Sequence, residues 1–225
     1  AEFVRIKTNN LRKVALGVDL IGFNPENRNY KLRKELLKGA EFLLVHCGRM
    51  SPEKQPERSV QALAELVKRG VNARLIIVGG GPLWNKVRKQ STGLPVDMVG
   101  YIASRQKLAG YLAAADLAIA PGPLETFCLS ALESLASGTP VVASKSSAVG
   151  EILNVNSIKA AGAVAADDGL SFANEIIKLL NRGGLRKVAR NQAEQFSWAN
   201  TIDVMLDIHG AKQPMVTTKR RLKAA

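Results

Sequence analysis

The stretch DLAIAPGPLETFCLSALESLASGTPVVAS, residues 116–144, decides how this sequence folds. It opens on a short apolar run, DLAIAPG, that ends at Pro121 and Gly122. It closes on a second, TPVVAS. Between them LSALESLASG carries apolar residues at helical spacing and stops at Gly138. Strand, helix and strand in that order make a βαβ unit with parallel strands. Two carboxylates, Glu125 and Glu133, stand eight positions apart in the middle of it. Eight helical residues turn through about 800°, so two helical glutamates would lie about 80° apart at about 100° per residue. They would not share a face. The pattern makes better sense with Glu125 in the loop and Glu133 inside the helix, whose N-terminus then falls near Cys128, Leu129 and Ser130.

The same alternation runs outward in both directions. EFLLVHCG (41–48) reads as a buried strand, and PERSVQALAELVKRG (56–70) as a helix closed by glycine. ARLIIVGGG is a strand entering a glycine turn. PLWNKVRKQS follows as a helix with Pro82 in its first turn. DMVGYI is a short strand, and SRQKLAGYLAAA a helix with Ser104 as N-cap. Beyond residue 144, SAVGEIL is a short helix and AGAVAA a last strand. Three helices end the chain, at about 169–181, 185–195 and 197–209. The expected fold is α/β: a Rossmann-like, doubly wound parallel sheet of about six strands, with extra C-terminal helices. The segment before residue 40 reads as irregular, and the tail after Gly210 as loose.

The chain has 225 residues, 46% of them hydrophobic, enough for a buried core. It contains no run of about 18 apolar residues such as a membrane span needs. Two cysteines, Cys47 and Cys128, exclude a disulfide scaffold and favour a reduced compartment. Two cysteines and two histidines, scattered, show no metal-ligand spacing. The formal net charge is +13 and the pI near 10.0. Basic segments at both ends, VRIKTNNLRK and TTKRRLKAA, account for part of it. With 5% aromatics and no basic stripe interleaved with them, nucleic acid is not the expected partner. Polyphosphate or anionic lipid fits the charge better.

Ligands of such sheets bind beyond the carboxyl ends of the strands. The residues leaving the first five strands are Gly48-Arg-Met-Ser-Pro-Glu-Lys54, Gly79-Gly-Gly-Pro82, Gly100-Tyr101-Ile102, Pro121-Gly-Pro-Leu-Glu-Thr-Phe-Cys128, and Ser144-Lys-Ser-Ser147. Glycines, bases and hydroxyls thus converge on one edge. A helix N-terminus beside Cys128 offers free N–H groups and a dipole to a phosphate. Arg49 and Lys54 add countercharge from the neighbouring loop. Taken alone, two glutamates are more often solvated surface; the company of Arg49, Lys54 and the glycine turns reverses that preference. A dinucleotide-binding oxidoreductase would need G-x-G-x-x-G after its first strand, and GGGPLWNK lacks that spacing.

GRMSPEK, VGGGPL, VGYI, ETFCLSALES and SGTPVVAS, in this order, resemble the nucleotide-sugar domain of the retaining GT-B glycosyltransferases of family 4. The resemblance runs from VALGVDLIGFNP (14–25) to FSWANTIDVMLDIH (196–209), and is nearest to actinobacterial GDP-mannose-dependent α-mannosyltransferases. It implies that Arg49 and Lys54 neutralise the donor diphosphate. It implies that Glu133 holds the ribose hydroxyls and that Glu125 contacts the transferred sugar. It implies that backbone N–H groups of Thr126, Phe127, Cys128 and Leu129 reach sugar hydroxyls and phosphate. It implies too that Tyr101 and Ile102 lie where the base rests, that Arg105 contacts its edge, and that Gly48 and Gly81 let the backbone approach the ligand. Cys128 stands where the family often has glycine, and is expected to take an ordinary helix N-terminal conformation rather than a positive φ.

The resemblance also implies the domain plan. Residues 1–25 would end a missing N-terminal, acceptor-binding domain. Residues 26–196 would be the nucleotide-sugar domain, 197–210 a helix crossing back to the first domain, and 211–225 a basic tail. The expected activity of the intact enzyme is transfer of a hexose, from GDP-mannose in the favoured reading, with retention and without a metal. A UDP-sugar donor and a sugar-nucleotide epimerase on the same architecture are the alternatives. From another class stands a basic membrane- or nucleic-acid-binding module without catalysis. The expected location is cytoplasmic, with peripheral contact at the membrane face.

Overall fold

In a computed structural model the structure describes residues 12–211, so most of both basic end segments lies outside the described residues. The six strands form one parallel sheet: β1 (Phe42–Cys47), β2 (Ala73–Val78), β3 (Val96–Gly100), β4 (Leu117–Ala120), β5 (Val141–Ser144) and β6 (Gly162–Ala165). Their spatial order is β3-β2-β1-β4-β5-β6. The chain winds one way from β1 through β2 to β3, then returns beside β1 and winds the other way. The loops after β1 and β4 therefore diverge, and a crevice opens between them.

Helices cover both faces. They are α1 (Tyr30–Leu37), α2 (Pro56–Lys68), α3 (Trp84–Gln90), α4 (Arg105–Ala114), α5 (Leu129–Ala136), α6 (Val149–Leu153), α7 (Gly169–Leu180), α8 (Leu185–Ala193) and α9 (Trp198–Ile208). A strand sends alternate side chains to opposite faces. Leu43 and Val45 of β1 accordingly pack with Leu112 of α4, Leu132 and Leu135 of α5, Ile152 of α6 and Ala189 of α8. Leu44 packs the other way, with Leu63 and Leu66 of α2, Val87 of α3 and Phe172 and Ile176 of α7. Every one of these side chains is buried.

Two expectations are corrected. Residues before 40 are not all irregular: Asn29 caps α1, its side chain accepting from the Leu32 N–H at 3.0 Å. The apolar face that fixes α1 is small, Leu36 alone being buried, so its periodicity was weak in the sequence. Pro82 precedes α3 rather than starting it. Leu83 N–H donates to the Met50 carbonyl at 2.9 Å and Trp84 N–H to Gly81 at 3.1 Å. These bonds hold Pro82 in a turn.

At the opposite end of the sheet, arginines close the helix C-termini. Arg186 donates to the carbonyls of Ala113, Ala115 and Ser137 at 3.0–3.1 Å. Arg190 donates to Leu20, Phe23 and Ala136. Last-turn carbonyls have no intrahelical partner, and a cation there also meets the negative end of the dipole. Burial, with Arg28 nearby, lowers the pKa of Arg186 to about 10, so it stays charged near neutrality. Arg186→Ala removes the side-chain donor of the Ser137 carbonyl and leaves the carbonyls of Ala113 and Ala115, which Arg28 also meets, with one arginine instead of two. The expected cost is about 2–3 kcal/mol, from the loss of charge-assisted bonds to part-buried acceptors. It is read as a lower urea midpoint with an unchanged slope.

Residues 15–18 run beside the chain entering α9. Val18 N–H donates to Phe196 at 2.8 Å and Thr201 Oγ1 to Ala15 at 2.9 Å. A Cβ on Gly17 would lie 2.5 Å from backbone atoms of Trp198. Only Thr201 of α9 is buried, and Trp198, Ile202, Val204, Met205, Leu206 and Ile208 remain exposed. Among the described residues no helix is long and apolar enough to cross a membrane.

Candidate active site

The site is built at the crevice. β1 ends in Cys47, and the chain turns through Gly48 and Arg49 into a short 3-10 turn, Pro52–Lys54. β4 ends at Ala120, and Pro121 and Gly122 lead to Glu125 and the start of α5. The two loops touch. A Cβ on Gly122 would come within 3.0 Å of the Glu53 carbonyl and 3.2 Å of Lys54 Cα. Lys54 Nζ meets Glu125 Oε1 at 2.5 Å. The Glu125 side chain is 12% exposed and that of Lys54 33%. The glutamate loop is pinned on its other side as well, its Glu125 carbonyl accepting from Ala148 N–H at 2.9 Å.

α5 begins at Leu129 with Cys128 as N-cap and no side chain capping it. The expectation for Cys128 is overturned: its φ is 64° and ψ 78°, the left-handed region. Cys128 is the single position between the glutamate loop and the first residue of α5. A residue with a Cβ is held there at a cost of roughly 1–3 kcal/mol, as strained positions at functional sites are. Burial first, then Glu125, raises the Cys128 thiol. Cys47 is raised to about 12 by burial, Glu133 and Cys128. Neither sulfur is a thiolate near neutrality, so neither is a nucleophile.

Glu133 lies one turn into α5, its side chain 16% exposed. Burial raises its pKa and Arg105 partly opposes this. Arg105, expected at a base edge, sits 3.7 Å from Glu133 and 3.8 Å from Asp19, its guanidinium 4.8 Å over the Phe23 ring. The structure thus joins Arg105 to Glu133.

On the other flank, Gly48, Arg49, Val78, Gly79, Gly80, Tyr101, Ile102 and Leu108 enclose a cavity of about 350 Å³. Arg49 is exposed at its mouth and makes no ion pair among the described residues. Tyr101 is 82% exposed, a ring at the rim rather than the floor. Gly81 has another task beside the one expected of it. Its φ is +153° and a Cβ there would meet the Met50 carbonyl at 2.5 Å, so its bare Cα lets the loops after β1 and β2 cross. Thr126 is exposed on the loop before α5, and Phe127 packs edge-on against Phe196 at 6.2 Å. The structure therefore brings Lys54, Glu125, Cys128 and the start of α5 together. Glu133 pairs with Arg105, and Arg49, Tyr101 and Ile102 line the neighbouring cavity.

Three residues at this edge were missed. Arg58 donates to the Pro121 carbonyl at 2.9 Å and pairs with Asp167 at 3.2 Å. Asp167 accepts from both Ser144 Oγ and Ser146 Oγ. This network ties the ends of β4, β5 and β6. Its signal was present as Asp167-Asp168 directly after AGAVAA, the one strand exit left unread. His46 had no such signal.

A model of the family described as glycosyl transferases group 1 matches residues 27–196. The chain belongs to this family. As a group 1 glycosyl transferase it is 45% identical, over 212 residues, to the GDP-mannose-dependent α-(1-6)-phosphatidylinositol dimannoside mannosyltransferase of Mycobacterium tuberculosis. That alignment takes in 93% of this chain and 55% of the relative. It is 31% identical over 216 residues to the D-inositol 3-phosphate glycosyltransferase of Saccharomonospora viridis, covering 88% of this chain and 49% of that one. The chain thus spans about half the length of the curated relatives it matches. In fold it is similar to Anabaena HepE, crystallised with UDP and glucose: TM-score 0.77, 20% identity, 92% of this chain and 58% of that one. It is similar too to the C-terminal domain of a group 1 glycosyl transferase, LpcC, of Francisella tularensis: TM-score 0.64, 23% identity, 79% of this chain and 95% of that one. The six-stranded parallel sheet and its flanking helices match the GT-B architecture expected from the sequence.

Proposed function

We propose that this chain is the donor-binding half of a retaining mannosyltransferase that uses GDP-mannose. The observation that carries the reading is the Lys54–Glu125 pair, fixed at the uncapped N-terminus of α5 where the winding of the sheet reverses. The 45% identical relative supports the choice of GDP-mannose among donors. The acceptor is a lipid-linked glycan of the phosphatidylinositol kind, held largely by a further domain. The net charge of +13 supports peripheral contact with anionic lipid at the cytoplasmic membrane face.

The chemistry follows from charge. Breaking the bond between the mannose C1 and the phosphate oxygen leaves negative charge on the diphosphate. Arg49, Lys54 and the N–H groups at the start of α5 meet that charge with donors already in place, and such preorganised groups stabilise the transition state without reorganising. Two cations and a helix dipole supply the compensation for which other transferases recruit a metal. Glu125, held by Lys54, is placed to accept from a sugar hydroxyl, and Glu133 from the ribose. The departing phosphate takes the proton of the acceptor hydroxyl as that oxygen attacks from the same face.

Calorimetric titration of the 225-residue chain with GDP, UDP and ADP tests the reading. GDP is expected to bind at least 5-fold tighter than UDP or ADP, with an affinity that EDTA leaves unchanged and added salt weakens. Arg49→Ala is expected to weaken GDP about 10-fold, the loss of one charge-assisted contact. Equal and salt-insensitive binding by both proteins would overturn the assignment.

A further inference from the structure

His46 is the last-but-one residue of β1, 2% exposed, and its side chain points to the α2 face of the sheet. A buried imidazole ordinarily has both ring nitrogens engaged. Here Nδ1 lies 2.9 Å from Ser59 Oγ, while Nε2 has no hydrogen-bond partner in the protein. Nε2 lies under the diphosphate loop: a Cβ on Gly48 would sit 3.8 Å from it and meet nothing else. His46 lines a narrow cleft with Gly48, Lys54, Gly122, Glu125 and Ser130. That cleft measures about 20 Å³. A polar space somewhat above 10–15 Å³ holds a single water when two or more partners face it.

We propose that His46 is a sugar-reading residue of the donor site: through one water in this cleft, its Nε2 hydrogen-bonds a hydroxyl of the transferred hexose. The inference rests on the donor-binding reading above and deepens it. A hydroxyl is favoured over a phosphate oxygen on two grounds. The phosphates already have Arg49, Lys54 and the α5 N–H groups, whereas the cleft floor beside Glu125 holds no other neutral hydrogen-bonding ring. Moreover, the imidazole stays uncharged. Burial and then the Lys54 charge hold its pKa down at about 4, with Glu57 opposing weakly. A neutral ring nitrogen adds little to a dianion, but it discriminates well for a hydroxyl, because leaving it unpaired is costly.

The test reads sugar and nucleotide separately, with GDP and GDP-mannose as probes. The chain has two histidines, so ¹⁵N-histidine spectra of the wild type report His46 with His209 as internal reference. The Nε2 resonance of His46 is expected to move on adding GDP-mannose and to stay in place on adding GDP. In the double variant His46→Leu/Ser59→Ala, which removes the ring nitrogens and their hydroxyl partner together, GDP affinity is expected to be unchanged. GDP-mannose is expected to bind about 10-fold more weakly, a loss of about 1.4 kcal/mol. His46→Gln, which keeps an amide near the Nε2 position, is expected to recover part of that loss. An Nε2 resonance unmoved by GDP-mannose in protein that binds it overturns the proposal, and so does an equal loss for both ligands. A wild type that binds no nucleoside diphosphate removes the donor reading itself and this inference with it.

Discussion

Lys54→Met is expected to weaken GDP binding about 100-fold, while Glu125→Gln leaves GDP binding equal or stronger. The contrast follows from the pair at 2.5 Å. Lys54 does two things: it offers a positive charge to the diphosphate and neutralises a carboxylate that is 12% exposed. Removing it leaves Glu125 facing the phosphates with its charge uncompensated. Truncating one partner of such a pair costs about 2–5 kcal/mol, much of it the penalty on the charge left behind. Lys54 is itself a third exposed, so the lower part of that range applies, and 100-fold corresponds to about 2.7 kcal/mol. In Glu125→Gln the ammonium is released toward the phosphates, so the nucleotide is held at least as well. What the glutamine loses is the sugar: the increment of GDP-mannose over GDP falls. Calorimetry on the three proteins with both ligands decides it. Parallel losses in both variants would mean that the pair holds the loops together and does not handle charge at the donor.

Much of this arrangement was legible beforehand because it is local. Alternation of apolar runs located all six strands, and the glycines, bases and hydroxyls that leave the first five located the ligand edge. Ser104 was readable as an N-cap, and its Oγ does accept from the Lys107 N–H at 3.2 Å. The placement of Glu125 in a loop and Glu133 in a helix followed from the strand–helix pattern and about 100° per helical residue. What escaped the sequence depends on which loop crosses which. The left-handed backbone at Cys128 stands at the junction of the glutamate loop and α5, and a cysteine gives no sign of it. The second task of Gly81 depends on the Met50 carbonyl of a different loop. The resemblance implied a base-edge role for Arg105, and the first turn of α4 sets it against Phe23 and Glu133. Helix α1 was missed because an amphipathic signal with one buried residue is hardly a signal. His46 looked like one more residue in a strand, and only the unmatched nitrogen distinguishes it.

Gly79→Ala is expected to lower the melting temperature by roughly 6–12 °C and to abolish measurable GDP binding, while Gly80→Ala leaves the melting temperature unchanged. The two glycines are neighbours in sequence and opposite in circumstance. Gly79 has φ +128°, and a Cβ there would stand 1.9 Å from the Gly48 carbonyl oxygen. Both the conformation and the space forbid a side chain, and the obstacle is backbone, which cannot swing aside. Nor can the strand exits simply part. Gly79 N–H donates to the Gly100 carbonyl at 2.8 Å and Gly48 N–H to Val78 at 3.0 Å, so parting them breaks bonds on both sides of β2. A strained backbone position together with displaced ladder bonds costs about 3 kcal/mol, and each kcal/mol moves a domain of this size by about 2–4 °C. The damage falls on Gly48 and Arg49, so the variant loses diphosphate binding even at temperatures where it stays folded. Gly80 has no positive φ, and a Cβ on it meets nothing within 4 Å. Its alanine variant therefore stays within about 0.5 kcal/mol of the wild type, as surface substitutions do. Calorimetric melting of both variants, with GDP titration of each well below its transition, separates the cases. If Gly79→Ala melts with the wild type and binds GDP normally, the crossing of these two loops is not what positions Arg49.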